Sequence, residues 1–245
     1  MRGNFYTQTK TNRLMPTQFA YGLLMAVETA KQYGFDSIAV AEFGVANGRG
    51  LRIMVDMAER LSKQSGVDIQ VYGFDTGSGL TAPKDYRDNP HMFSQGGYAM
   101  ANTESLQAEL SGKAELIIGD IGDIKQLSDV IDPDIPFGFA SVDVDLYSST
   151  MATFDLLATA GPDSLLPVVN LYVHDSFGRQ HYHRFVAQLL AIDDFNQANT
   201  SRKIDIDRFI GWWFGKTEPW HASMYAMHSI EYNGRKTTWD KFNPA

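Results

Sequence analysis

The chain has 245 residues, of which 44% are hydrophobic and 20% charged, the proportions of a globular protein with a sizeable core. A formal net charge of −8, with no Lys/Arg-rich run, argues against nucleic acid or an anionic membrane surface as a partner. The lack of cysteine excludes disulfides, thiolate metal ligands and cysteine nucleophiles, and is compatible with a cytoplasmic protein. No window approaches the roughly 20 apolar residues of a membrane helix.

Residues 1–15 are polar and read as an irregular arm. A helical pattern over 18–33 carries Phe19, Leu23, Ala26, Val27 and Ala30 on one side and stops at Gly34. Ile38 and Val40 mark a buried strand that runs out at Glu42. Gly44, Gly48 and Gly50 follow, and a second helix spans 51–63. Residues 68–75 form a strand ending on Asp75. Residues 76–100 are rich in Gly, Pro, Asp and Asn, too long for a simple connection, and read as a lid. A helix over 103–110, a strand over 114–118 and a turn at Gly119-Asp120 come next.

Residues 124–131 read as a short helix stopped by Asp132-Pro133. A strand over 136–144 ends in Asp143-Val144-Asp145, a helix covers 150–160, and a strand over 166–173 ends at His174-Asp175. A long helix is expected over 182–196, then two closely spaced strands over 204–213 and 223–232. His181 and His183 read as solvent-facing rather than as metal ligands. Trp212, Trp213 and Trp220 read as strand core or a dimer surface, which makes this aromatic region the candidate homo-oligomer contact.

Alternating β and α units with a closing strand pair predict one α/β domain over 1–245, with 1–34 as N-terminal arm and helix. Its sheet is doubly wound, mostly parallel and seven-stranded, with an antiparallel edge strand. Ligands of such sheets gather at the carboxyl ends of the strands. Here those ends carry Glu42, Asp75, Asp120, Asp143 with Asp145, and His174 with Asp175. A strand entering a helix through glycines, with a carboxylate at its end, is how nucleotide-type sites are built. Gly-x-Gly-x-x-Gly with an acidic residue about 20 positions on would denote a nicotinamide-dependent oxidoreductase. The glycine spacing here differs, and Asp75 lies farther away.

Glu42-x-Gly44-x-x-x-Gly48-x-Gly50, followed by Asp75, resembles the class I S-adenosylmethionine-dependent methyltransferases, whose fold is Rossmann-like. Residues 72–80 (YGFDTGSGL) and 142–150 (VDVDLYSST) resemble the macrocin O-methyltransferase family, sugar O-methyltransferases of antibiotic pathways. The likeness runs from about residue 38 to residue 198. It implies S-adenosylmethionine as cofactor and O-methylation of a hydroxylated small natural product or saccharide. By the same likeness Asp75, with Thr76 beside it, meets the ribose, and the glycine loop meets the methionine part. Glu42 then lies near the amino-acid end or against the loop backbone, and Asp120 and Ile121 border the adenine. Asp143 and Asp175 become ligands of a divalent metal, usually Mg²⁺, and Asp145 the base.

One departure matters. The family's Asp-Asp pair is His174-Asp175 here. Mg²⁺ prefers hard oxygen donors, so imidazole weakens that site. His174 then either binds a borderline metal or takes over as general base, and a cofactor binder of the same fold without turnover is the competing function.

Overall fold

In β1 (Ser37–Phe43), Ile38 and Val40 enter one hydrophobic cluster while Ala39, Ala41 and Phe43 enter another. That period-2 alternation, apolar on both faces, is what a central parallel strand requires. The computed structural model describes residues 3–161, 163–177, 184–230 and 232. Six more strands join β1: β2 (Asp68–Asp75), β3 (Glu115–Ile118), β4 (Phe137–Val142), β5 (Leu165–Val173), β6 (Arg202–Ile206) and β7 (Met224–Ser229). Their order is β3-β2-β1-β4-β5-β7-β6. The first five are parallel, and β7 runs against both β5 and β6. The order reverses between β1 and β4, so the carboxyl ends of those two strands open the crevice where such sheets bind ligands.

Helices α1 (Phe5–Lys10), α2 (Thr17–Tyr33), α3 (Arg49–Ser65), α4 (Thr103–Leu110) and α7 (Ile210–Phe214) bury their apolar residues in the first cluster. Helices α5 (Tyr147–Ala158) and α6 (Ala187–Ala198) bury theirs in the second. The sheet is thus covered on both faces. No helix among the described residues is long and apolar enough to cross a membrane.

Local chemistry redrew several expected elements. The N-terminal arm contains α1, capped by the Asn4 side chain and anchored by buried Phe5. Residues 124–131 do not form an α-helix; one 3₁₀ turn, Leu127–Asp129, stands there, preceded by another at Ile121–Asp123. Asp120 and Asp129 bond backbone N–H groups close to them, the competition that keeps Asp out of helix interiors. Strand β6 stops at Ile206 because the Asp207 side chain accepts the N–H groups of Phe209 and Ile210 and starts α7. Trp212 and Trp213 therefore lie on a helix, Trp212 exposed and Trp213 buried. Helix α5 begins at Tyr147, three residues before the expected start. Helix α6 ends at Ala198; the earlier part of its expected span, with His181 and His183, lies partly outside the described residues.

Candidate active site

The carboxyl ends of β1, β2, β3, β4 and β5 surround a cavity of about 450 Å³, within the usual range of small-ligand sites. Gly44, Asp75, Thr76, Asp120, Ile121, Asp143, Asp145, His174 and Asp175 all line it. Glu42, Gly48 and Gly50 do not; they stand behind the wall.

Gly44 has φ +90°, and a Cβ there would sit 1.9 Å from the Asp143 carbonyl oxygen. Only glycine lets the loop pass this close to the end of β4. Asp75 holds the rest of the loop: its Oδ2 accepts the Val45 and Ala46 N–H groups at 2.9 and 2.8 Å, and Oδ1 accepts the Gly77 N–H at 2.7 Å. Three of the carboxylate's four lone-pair positions are used, leaving Oδ1 one for a ligand hydroxyl. Gly48 is the N-cap of α3. Glu42 is buried beneath that helix start, and a Cβ on Gly50 would lie 1.8 Å from its Oε1. Burial, then the charge of Asp143, raises the Glu42 pKa well above the usual range, against the pull of the Leu51 N–H. Its Oε2 has no hydrogen-bond partner among the described residues.

Thr76 donates to the Gly79 carbonyl at 2.6 Å, and Asp120 accepts the Gly122 N–H at 2.9 Å. Ile121 is buried against the second core cluster. Phe43 and Phe74 stack under this end of the cavity, with centroids 4.6 Å apart.

The other end is a cluster of ionisable groups. His174 Nδ1 lies 3.1 Å from Asp143 Oδ1 and 3.0 Å from Asp175 Oδ1. The hydrogen bond to Asp175, with the neighbouring carboxylates and against partial desolvation, pushes His174 up to about 9. It is an imidazolium at neutral pH. Burial and the neighbouring Asp175 carboxylate raise Asp145 far above the usual range, so this pair shares a proton. Burial pushes Asp143 up to about 6, with the charge of His174 opposing. Asp145 sits at φ +57°, in the left-handed region that Asp enters more readily than most non-glycine residues.

Donor atoms of Asp143, His174 and Asp175 lie within 4.8 Å of one another, close enough for one small cation to reach all three. Two oxygens and an imidazole nitrogen suit a borderline divalent metal better than Mg²⁺.

Sequence reasoning missed three residues here. Gln188 accepts the Asp175 N–H at 2.7 Å through Oε1 and donates to the Val142 carbonyl at 3.3 Å, tying the ends of β4 and β5 together. Asp88, in the 76–100 segment, bonds the start of α5. Tyr98 lines the cavity from the same segment. None carries a local signal, because each acts on residues distant in sequence.

The order and directions of the strands, with a ligand cavity at their carboxyl ends, define the class I methyltransferase fold, Rossmann-like with one reversed strand. Solved structures share it. The calicheamicin methyltransferase CalS11 aligns over 92% of this chain and 90% of its own, at 17% identity and a TM-score of 0.55. The O-methyltransferase NovP aligns over 86% of this chain and 79% of its own, at 16% identity and a TM-score of 0.55. At such identities the likeness is one of fold. No protein-family model matches the sequence, and no curated protein matches it closely enough to count as a relative.

Proposed function

We propose that the chain is an S-adenosylmethionine-dependent O-methyltransferase acting on a hydroxyl of a small natural product or saccharide. The charge of the cavity carries the reading. Its described lining includes Asp75, Asp120, Asp143, Asp145 and Asp175, one His, and no Lys or Arg. Such a wall suits a cofactor bearing a sulfonium and an ammonium group. It opposes the pyrophosphate of a nicotinamide dinucleotide, which is normally met by helix N-terminal amides and favourable charge. The names of the two fold neighbours, both methyltransferases, point the same way.

The cofactor supplies an electrophilic methyl group. On this reading the Asp75 carboxylate receives the ribose, the Gly44 backbone gives the methionine part room, and Asp120 with Ile121 borders the adenine. The acceptor hydroxyl enters beside Asp143, Asp145, His174 and Asp175. Its proton passes to the cluster, where Asp143 is the accepting carboxylate and Asp145 the relay through its shared proton. His174 stays protonated and offsets the carboxylate charge. A metal would be held by Asp143 and Asp175, joined by His174 only once its ring has given up its proton, and would supply a lowered acceptor pKa. The net charge of −8 argues against nucleic acid as the acceptor.

A second reading, cofactor binding without turnover, draws on the protons that His174 and Asp145 already hold at neutral pH. Calorimetric titration of S-adenosylmethionine into the protein and into Asp75→Ala tests the cofactor. Micromolar binding lost in the variant is expected, and no heat from the folded protein would sink the methyltransferase reading. Release of S-adenosylhomocysteine on adding hydroxylated acceptors separates enzyme from silent binder.

A further inference from the structure

Tyr98 stands where neither folding nor packing calls for a large aromatic residue. Its backbone is left-handed, φ +61°, a conformation that glycine or asparagine adopts at far lower cost. Its side chain gains little in return, since the residue is 67% exposed. The flanking chain imposes the strain. Leu80 donates to the Gly97 carbonyl at 2.8 Å, Gly96 to the Leu80 carbonyl at 2.9 Å, and Met100 to the Gly77 carbonyl at 3.1 Å. These bonds pin both sides of Tyr98, so residues 77–80 and 96–100 form an ordered rim of the cavity. Tyr98 lines that cavity with buried Phe93 and with Asp145. Its phenol is near enough to Asp145, Asp175 and Asp143 for their charges to raise its pKa, Asp145 contributing most. Asp145 is itself a non-glycine residue at positive φ. With Ala46, at φ +45°, three non-glycine residues at positive φ line this one cavity, as they do where geometry serves a ligand.

We propose that Tyr98 is an acceptor-binding residue: its ring forms one wall of the acceptor pocket and holds an uncharged, hydroxylated ring against the carboxylates of Asp143, Asp145 and Asp175. The inference rests on the methyltransferase reading and adds to it the residue that positions the acceptor and the charge the acceptor carries. The ring face of Tyr98 takes the apolar C–H face of the acceptor, and the acceptor's hydroxyls donate to the carboxylates. An anionic acceptor would face Asp143, Asp145 and Asp175, with no Lys or Arg among the described lining residues.

The test uses the full chain saturated with S-adenosylhomocysteine. The probes are 4-nitrophenyl glucoside, uncharged, and UDP-glucose, anionic, followed by saturation-transfer NMR titration. The protein is expected to bind the aryl glucoside and not UDP-glucose. Tyr98→Gly is expected to weaken glucoside binding at least tenfold, and Tyr98→Phe, which keeps the ring, by less than threefold. Tyr98→Gly should leave S-adenosylhomocysteine affinity unchanged and raise the melting temperature by about 2 °C through relief of strain. Equal glucoside binding by the protein and Tyr98→Gly, no glucoside binding by the protein, preference for UDP-glucose, or a lower melting temperature for Tyr98→Gly would each overturn the inference. Failure of the unsubstituted protein to bind S-adenosylhomocysteine would instead refute the methyltransferase reading, so the two failures are separate.

Discussion

Asp88 accepts the Ser148 N–H at 2.7 Å through Oδ1 and the Lys84 N–H at 2.7 Å through Oδ2. Helix α5 has no capping side chain of its own, and a carboxylate 60 residues away in sequence supplies one. The same bond fastens the 76–100 segment over the cavity. Arg87 reinforces it by lying over the Tyr147 ring, 4.6 Å from the centroid, while Tyr147 donates to Asp194 at 2.8 Å.

Asp88→Ala leaves two backbone donors without their acceptor and removes the cap, and is expected to cost about 2–4 kcal/mol. Urea denaturation measures the loss. Hydrogen exchange should show faster exchange at residues 84–88 and 147–150 together, because one side chain holds both. Exchange that rises in only one segment would show that the clamp is not shared.

Gly50→Ala forces a methyl group against the Glu42 carboxyl. Overpacking of this kind costs about 1–3 kcal/mol, and the burial of Glu42 limits how far its carboxyl can move aside. Double substitution with Glu42→Ala should recover much of the loss. A double-mutant cycle in denaturant reads that coupling directly.

Glu42 makes stability depend on pH. Its folded-state pKa lies above the unfolded value, so below pH 4.5 both states hold the proton and the group has no effect. As pH rises past 4.5 the unfolded chain releases its proton first, and stability falls until the folded pKa is passed. Asp143, raised from 3.8 to about 6, acts in the same direction. His174, raised from 6.5 to about 9, contributes stability that is full below 6.5 and lost as pH rises through 9. The protein should therefore be more stable at pH 5 than at pH 8, and Glu42→Gln should flatten that difference. Unfolding midpoints at the two pH values check it; an unchanged slope in the variant would refute the assignment.

His174→Asp restores an all-oxygen donor set with Asp143 and Asp175. Mg²⁺ affinity is expected to rise at least tenfold, while Mn²⁺ or Zn²⁺ loses its advantage over Mg²⁺. Calorimetric titration of each metal into cofactor-free protein measures this without any need for turnover.

Much of the architecture was written in the local sequence. Ile38 and Val40, the helical period from Leu51 to Leu61, and a carboxylate or His at each parallel strand end are short-range patterns. They suffice for a doubly wound sheet and for the end of it that binds ligands, and nine of the expected site residues do line one cavity. What the local pattern does not contain, tertiary structure decided. Residues 204–207 alternate like a strand, yet the expected strand goes no further, because the turn brings the Phe209 and Ile210 N–H groups within reach of Asp207 and α7 begins. Helix α5 starts early because Asp88 arrives from a distant loop. The proton states of Asp143, Asp145 and His174 follow from burial and neighbouring charge, and the 3.1 Å approach of His174 to Asp143 exists only after β4 and β5 pair. Glu42 reads as a site residue from its position at the strand end, but the packing of Gly50 over it puts it behind the wall. Periodicity reports which face of an element is buried. Capping, charge coupling and cavity walls depend on side chains that meet across tens of residues, and only the folded chain brings them together.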